Sequence, residues 1–157
     1  MTCKRFGLAT AVIACAMLVF CSTANAGQCS QGGAAGKYGF TLTGWLIVST
    51  GAVPAAAVGQ ASVDAKGNVT GTEARSVGGG YADETLSGTI SVNSDCTGSM
   101  TLNFYDAGQL VRTSVLSIVF VDNQRELRMV QKSLTLPNGA AIPVVITVDA
   151  KRISDDD

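Results

Sequence analysis

Ser99-Met100-Thr101-Leu102-Asn103-Phe104-Tyr105, followed by Asp106-Ala107-Gly108 and then Gln109, is the stretch on which the fold turns. Side chains alternate along an extended chain, so Met100, Leu102 and Phe104 share one face while Ser99, Thr101, Asn103 and Tyr105 share the other. One face is apolar and the other polar, as in an antiparallel strand with a single covered side. Asp106-Ala107-Gly108 then supplies the residues of a tight reversal.

The same pattern extends in both directions. Upstream, strands are expected over 38–49, 55–64, 69–77 and 81–92, separated by Asp64-Ala65-Lys66-Gly67-Asn68, Gly78-Gly79-Gly80 and Asn93-Ser94-Asp95-Cys96-Thr97-Gly98. Downstream, strands are expected over 109–121, 125–133 and 141–151, with turns at Asp122-Asn123 and Pro137-Asn138-Gly139. Leu86, Ile90 and Val92 oppose Thr85, Ser87, Thr89 and Ser91, and Ile142, Val144, Ile146 and Val148 oppose Ala141, Pro143, Val145, Thr147 and Asp149. The late part of the sixth strand is apolar on both faces, which points to a barrel interior on one side and a partner on the other.

Every connection is short, so consecutive strands pair as hairpins in an antiparallel meander. About eight such strands remove their exposed edges most simply by closing into one up-and-down barrel. A two-sheet sandwich is the alternative, although it needs longer crossing connections.

Gly36-Lys37-Tyr38-Gly39-Phe40, Val58-Gly59 with Asp64-Ala65-Lys66-Gly67-Asn68-Val69-Thr70-Gly71, and Gly88-Thr89-Ile90-Ser91-Val92-Asn93 with Asp95-Cys96-Thr97-Gly98 carry a resemblance. They resemble a group of small exported bacterial proteins of unknown function, with calycin-like barrels similar to that of allene oxide cyclase. The resemblance spans most of residues 36–130. Its motifs are mainly turns, so it implies a fold and transfers no catalytic residue.

Residues 1–26 read as a secretory signal peptide. Lys4 and Arg5 form a basic start, an apolar run follows from Phe6 to about Cys21, and Ala24-Asn25-Ala26 offers a small-residue cleavage site before Gly27. The apolar run is shorter than the ~20 residues of a membrane-spanning helix. Val12-Ile13-Ala14-Cys15 loosely fits a lipoprotein signal, with Cys15 as the anchored residue, but the apolar segment before it is very short. The expected division is a signal peptide over 1–26, a barrel domain over 27–153 and an acidic tail over 154–157. Location is then periplasmic or secreted, with no transmembrane segment after cleavage.

Removal of residues 1–26 leaves 131 of the 157 residues and two of the five cysteines, Cys29 and Cys96. In an oxidising compartment these two most simply form one bridge. Nine basic residues then face twelve acidic ones, a balance of −3 that argues against a nucleic-acid partner.

The sequence holds 0 histidines, which removes the usual Ser-His-Asp and Cys-His nucleophile systems and leaves a zinc site short of ligands. No catalytic residue, metal or cofactor is assigned. Gly78-Gly79-Gly80 lacks the Lys-Ser/Thr and the helix of a phosphate loop and reads as a hairpin tip. Asp83-Glu84 is the one adjacent acidic pair outside the tail, and its members point to opposite faces, so it reads as a solvated hairpin shoulder.

Charged residues do recur at i,i+2, which places them on one strand face: Glu73 with Arg75, and Glu126 with Arg128. Arg112, on the neighbouring sixth strand, is in reach of Glu126 or Arg128 across the sheet. The plain reading is a solvent-facing charge ladder. The sharper one puts Arg112, Glu126 and Arg128 in the barrel mouth as ligand-orienting groups. Tyr38, Phe40, Trp45, Phe104 and Phe120 are candidate pocket-lining aromatics, with plain core as the alternative.

An outer-membrane barrel is disfavoured, because 6% aromatic residues is thin for two interfacial girdles. The leading expectation is a non-enzymatic exported barrel that binds a small apolar ligand or a protein partner. A cyclase- or isomerase-like barrel enzyme and a structural envelope protein, oligomeric through the sixth strand, are the alternatives.

Overall fold

A computed structural model describes residues 28–153 as one closed barrel of eight antiparallel strands in sequence order. They are β1 (Gly36–Val48), β2 (Gly51–Val63), β3 (Asn68–Val77), β4 (Gly80–Val92), β5 (Thr97–Asp106), β6 (Gln109–Val121), β7 (Glu126–Thr135) and β8 (Val144–Arg152). β8 pairs back onto β1, so the sheet has no free edge. The up-and-down barrel expected from the alternation is the observed architecture. The expected signal peptide, 1–26, and acidic tail, 154–157, lie outside the described residues.

The eighth strand starts later than its alternation implies. Ala141 makes only an isolated bridge with Thr135, and regular pairing begins after Pro143. Proline has no N–H to give to a ladder, so its carbonyl serves instead, accepting from Ile47 N at 2.8 Å. The second strand starts earlier, at Gly51, because the turn is only Ser49-Thr50 and Pro54 sits opposite Trp45 inside the ladder.

The core is the inward face of every strand. Leu86 and Ile90 from β4, Met100, Leu102 and Phe104 from β5, and Leu116, Ile118 and Phe120 from β6 are all buried. Outward positions are rich in Thr and Ser, with exposed apolar residues such as Val58, Val130 and the cross-strand pair Trp45 and Val145 among them. That arrangement, apolar inside and polar outside, is the reverse of a membrane-spanning barrel. No helix among the described residues is long and apolar enough to cross a membrane.

Tight curvature requires glycine where strands nearly touch. A side chain at Gly59 would strike the Thr72 carbonyl and the Phe40 ring, and one at Gly88 would strike the Thr101 carbonyl.

The N-terminal segment stoppers one end. Cys29 is buried and bonded to Cys96, across a separation of 67 residues, and a short 3-10 turn over Gly32–Ala34 follows. Gln31 donates to Ile90 O at 3.1 Å and accepts from Val92 N at 3.1 Å, which docks the segment on the end of β4. Gln124 receives Ser30 N at 3.2 Å and donates to Ser30 O at 2.9 Å. The Tyr38 hydroxyl donates to Ala34 O at 2.9 Å, and Arg152 donates to Gly33 O at 2.6 Å. This end is a lower, closed end; the opposite, upper end carries the β3–β4 and β5–β6 hairpins.

Candidate functional site: a charged quartet in an apolar lumen

Strand parity sets the site. On β3, Glu73 and Arg75 share the face of Val69 and Gly71; on β4, Glu84 shares the face of Leu86 and Ile90; on β6, Arg112 shares the face of Ser114 and Leu116. Those faces point inward, so four charges enter the upper half of the lumen. Glu73 lies directly opposite Glu84 across the β3–β4 ladder. Like charges in that position repel, and only shared cations hold them there.

Arg112 is that shared cation. Its Nη2 meets Glu73 Oε1 at 2.5 Å, its Nη1 bonds Glu84 Oε2, and its guanidinium stacks 3.9 Å from the centroid of Phe104. Arg75 contributes Nη2 at 2.7 Å and Nε at 2.9 Å to Glu84 Oε1. Both glutamate side chains are 0% exposed, whereas those of Arg112 and Arg75 are 11% and 25% exposed toward the mouth.

The two carboxylates are served unequally. Burial pushes the Glu84 carboxyl up, but Arg75 and Arg112 together outweigh it and hold the group below its ordinary value. Burial also pushes Glu73 up, and Arg112 alone only partly offsets it, so Glu73 stays above its ordinary value. Glu73 Oε2 has no hydrogen-bond partner among the described residues although it is fully enclosed. Arg152 Nε, at the closed end, is the other such atom.

Glu73, Arg75 and Arg112 border a lumenal cavity of about 70 Å³. Its walls are otherwise mostly apolar, with Phe40, Leu86, Met100, Leu102, Phe104 and Met129 among them. Ala55, Ala61 and Ala150 keep it hollow by withholding side-chain volume. In a second polar pair, Gln131 Nε2 donates to Ser114 Oγ at 2.9 Å and to Ser133 O at 3.1 Å.

The candidate residues separate into three groups. Tyr38, Phe40, Phe104 and Arg112 border the cavity. Phe120 is buried in the solid part of the core near the disulfide, where its N–H bonds Cys96 O at 2.8 Å. Trp45, Glu126 and Arg128 stand on the outer face. Trp45 is 51% exposed because its odd position on β1 opposes inward Leu42 and Leu46, which removes it from any lumenal pocket.

Glu126 and Arg128 belong to a ladder with Asp149 and Lys151: Arg128 reaches Asp149 at 2.8 Å and Glu126 at 3.0 Å, and Lys151 reaches Glu126 at 3.4 Å. Arg112 is therefore not their partner, since it lies on the other side of the sheet. These exposed pairs border an open groove of about 970 Å³ outside the barrel wall. Glu84, expected on a solvated shoulder with Asp83, is instead the centre of the buried quartet. Parity with Leu86 and Ile90 was the signal for Glu84, and parity with Val69 and Gly71 was the signal for Glu73 and Arg75.

No protein family matches the chain, and no curated protein matches it. Solved structures do share the fold. One, of EF1p2_mFAP2b bound to DFHBI, aligns with a TM-score of 0.54 at 13% identity, over 77% of this chain and 94% of that one. Another, of a redesigned β-barrel, mFAP1, bound to DFHBI, aligns with a TM-score of 0.50 at 15% identity, over 78% of this chain and 98% of that one. At these identities the likeness establishes the eight-stranded barrel alone.

Proposed function

We propose that this protein is an exported, non-enzymatic barrel that holds a small, largely apolar molecule in its lumen, oriented by Arg112 and the carboxylates it bridges. The observation that carries the reading is an apolar lumenal cavity bordered by Glu73, Arg75 and Arg112. A barrel kept only for stability gains little from four buried charges, since apolar side chains of similar volume serve as well or better. The two similar barrels are bound to DFHBI, which supports ligand binding by a barrel of this kind. The resemblance to small exported proteins supports the export.

The cavity limits the ligand. Its 70 Å³ is about the volume share of two waters and under half of the ~150 Å³ that accommodates benzene. A molecule of a few heavy atoms fits without rearrangement; a larger one requires Met100, Met129 and Arg112 to move, and methionine adapts readily. The Cys29–Cys96 bridge is compatible with an oxidising compartment and with export. Native mass spectrometry of the folded protein from its own host tests both parts. The expected species begins at Gly27 and carries a small bound molecule. A consistently empty barrel would sink the ligand reading, and retention of residues 1–26 would sink the export reading.

The Glu73–Glu84 pair also favours a second reading, a cyclase- or isomerase-like enzyme that uses Glu73 to move a proton. Isotope exchange from solvent into a bound small ketone distinguishes it from a binding module, which catalyses none.

A further inference from the structure

We infer that a second copy of this chain docks on the outer face of β6, β7, β8 and β1, about a two-fold axis that runs between β7 and β8. The inference is independent of the lumenal ligand and uses only the outside of the barrel.

The barrel has two unlike sides. On β3, β4 and β5 the outward residues are mostly Thr and Ser, and among the described residues Tyr81 is the one exposed large apolar side chain there. On β6, β7, β8 and β1 such side chains accumulate, as Val119, Val121, Val130, Val145 and Trp45. The cross-strand neighbours Val145 and Trp45 are 60% and 51% exposed. A lone exposed valine needs no explanation, but a run over four adjacent strands marks a contact surface. On β6, Ile118 and Phe120 fill the core, which leaves Val119 and Val121 outside with nothing to cover them among the described residues.

The strand register says what fits this face. Outward side chains form rows across the four strands. One row runs Val121, Glu126, Lys151, Gly39; the next runs Val119, Arg128, Asp149, Thr41; a third runs Ser117, Val130, Thr147, Thr43. An axis parallel to the strands and between β7 and β8 lays each row over itself in reverse. Arg128 of the second copy then stands over Asp149, and its Glu126 over Lys151, so every charge in these rows meets its opposite. Its Val121 stands over Gly39 and its Val119 over Thr41. Gly39 and Thr41 border the open groove beside the charged ladder, which gives those valines room, and Ile153 beside Gly39 adds an apolar contact.

The ladder itself holds two acids and two bases, Glu126, Asp149, Arg128 and Lys151. A uniformly acidic or basic partner gains nothing from that pattern. A copy of the same face matches it in sign and position, which sets register and orientation. Self-complementarity under a two-fold rotation is the property of an isologous interface. Two convex walls touch over a limited area, so the expected dimer is weak, with a dissociation constant in the micromolar range.

Sedimentation equilibrium of the folded, disulfide-intact protein tests this through a charge exchange. The unmodified protein should dimerise, more weakly at high salt. Arg128→Glu sets two acids face to face, and Asp149→Arg sets two guanidinium groups face to face. Each variant alone should dimerise at least about tenfold more weakly than the unmodified protein. Mixed in equal amounts, the two should recover most of the affinity, because each substituted side chain then faces its opposite in a heterodimer. Both positions are exposed, so both variants should fold; if one does not, Glu126→Lys mixed with Lys151→Glu repeats the exchange one row away. A protein that stays monomeric up to about 1 mM overturns the inference. A dimer that either variant forms as well as the unmodified protein also overturns it, since the contact then lies on another face. A mixture no tighter than its components overturns the two-fold axis between β7 and β8.

Discussion

Replacing Arg112 by leucine isolates what the quartet contributes. Among the described residues, Arg112 supplies the only side-chain hydrogen bond Glu73 receives and one of those received by Glu84, and its side chain is 11% exposed. Leucine keeps much of the stem's apolar contact with Phe104 and removes the charge, so two enclosed carboxylates are left with Arg75 alone. Removing one partner of a buried pair costs about 3–5 kcal/mol, a large share of the ~5–15 kcal/mol that holds a typical domain folded. For a barrel of this size the midpoint of thermal unfolding should fall by roughly 10–20 °C. Urea unfolding of Arg112→Leu at neutral pH and near pH 4 measures it. The penalty should shrink in acid, where Glu73, held above its ordinary value, takes up a proton and no longer needs the cation. A combined variant with Glu73, Glu84, Arg75 and Arg112 all replaced by Leu or Met should recover most of the loss. A penalty below about 1 kcal/mol, or one that is unchanged by acid, refutes the account of Arg112 as the shared cation.

Glu73→Gln should gain stability relative to the unmodified protein as pH rises. Glu73 is held above its ordinary value of 4.5, so its contribution is fully present below that pH and is lost as pH climbs through the raised value; a pH-independent difference between the two proteins contradicts this. Glu84 has the opposite sign: its contribution is present above 4.5 and is lost as pH falls, so Glu84→Gln should be most damaging at neutral pH in the same unfolding series. Cys29→Ser with Cys96→Ser should cost up to ~4 kcal/mol by loop entropy over the 67-residue separation, and an unfolding midpoint insensitive to it shows that the stopper docks without its tether. Trp45→Ala should change stability by no more than about 0.5 kcal/mol, and the emission of Trp45 should ignore lumenal ligands, because that ring lies half in solvent on the outer face.

Most of the fold could be read from the period-two pattern, because a closed barrel with an apolar lumen enforces alternation on every strand. Met100, Leu102 and Phe104 point inward as their spacing requires, and the tight turns join neighbours in order. The strand ends were less legible. Whether Pro143 lies inside the eighth strand depends on which of its neighbours still has a ladder to give to, and that is a property of β1 and β7 rather than of the segment itself.

The site was half legible, and the reason lies in two different clues read at different ranges. Charge at i,i+2 is a local clue: it marks Glu73 with Arg75 and Glu126 with Arg128 alike, yet one pair is enclosed and the other is solvated. Parity against the strand's own apolar residues separates them. Glu126 and Arg128 alternate with Leu127 and Met129 and so face out, whereas Glu84 and Arg112 keep step with Leu86 and Leu116 and so face in. Chemistry alone suggests that charges avoid the side where Leu and Ile lie, and at Glu84 that preference conflicts with the pleat. The pleat wins because a strand cannot turn one side chain over without a bulge, and β4 pairs with both neighbours in unbroken register from Asn68↔Thr89 to Glu73↔Glu84 and from Thr85↔Tyr105 to Val92↔Gly98. A charge that breaks the polarity rule on an unbroken strand must find its partners across the lumen. Arg112, three strands from Glu73 in the sheet order, reaches it through the interior, a contact that no single strand's pattern announces.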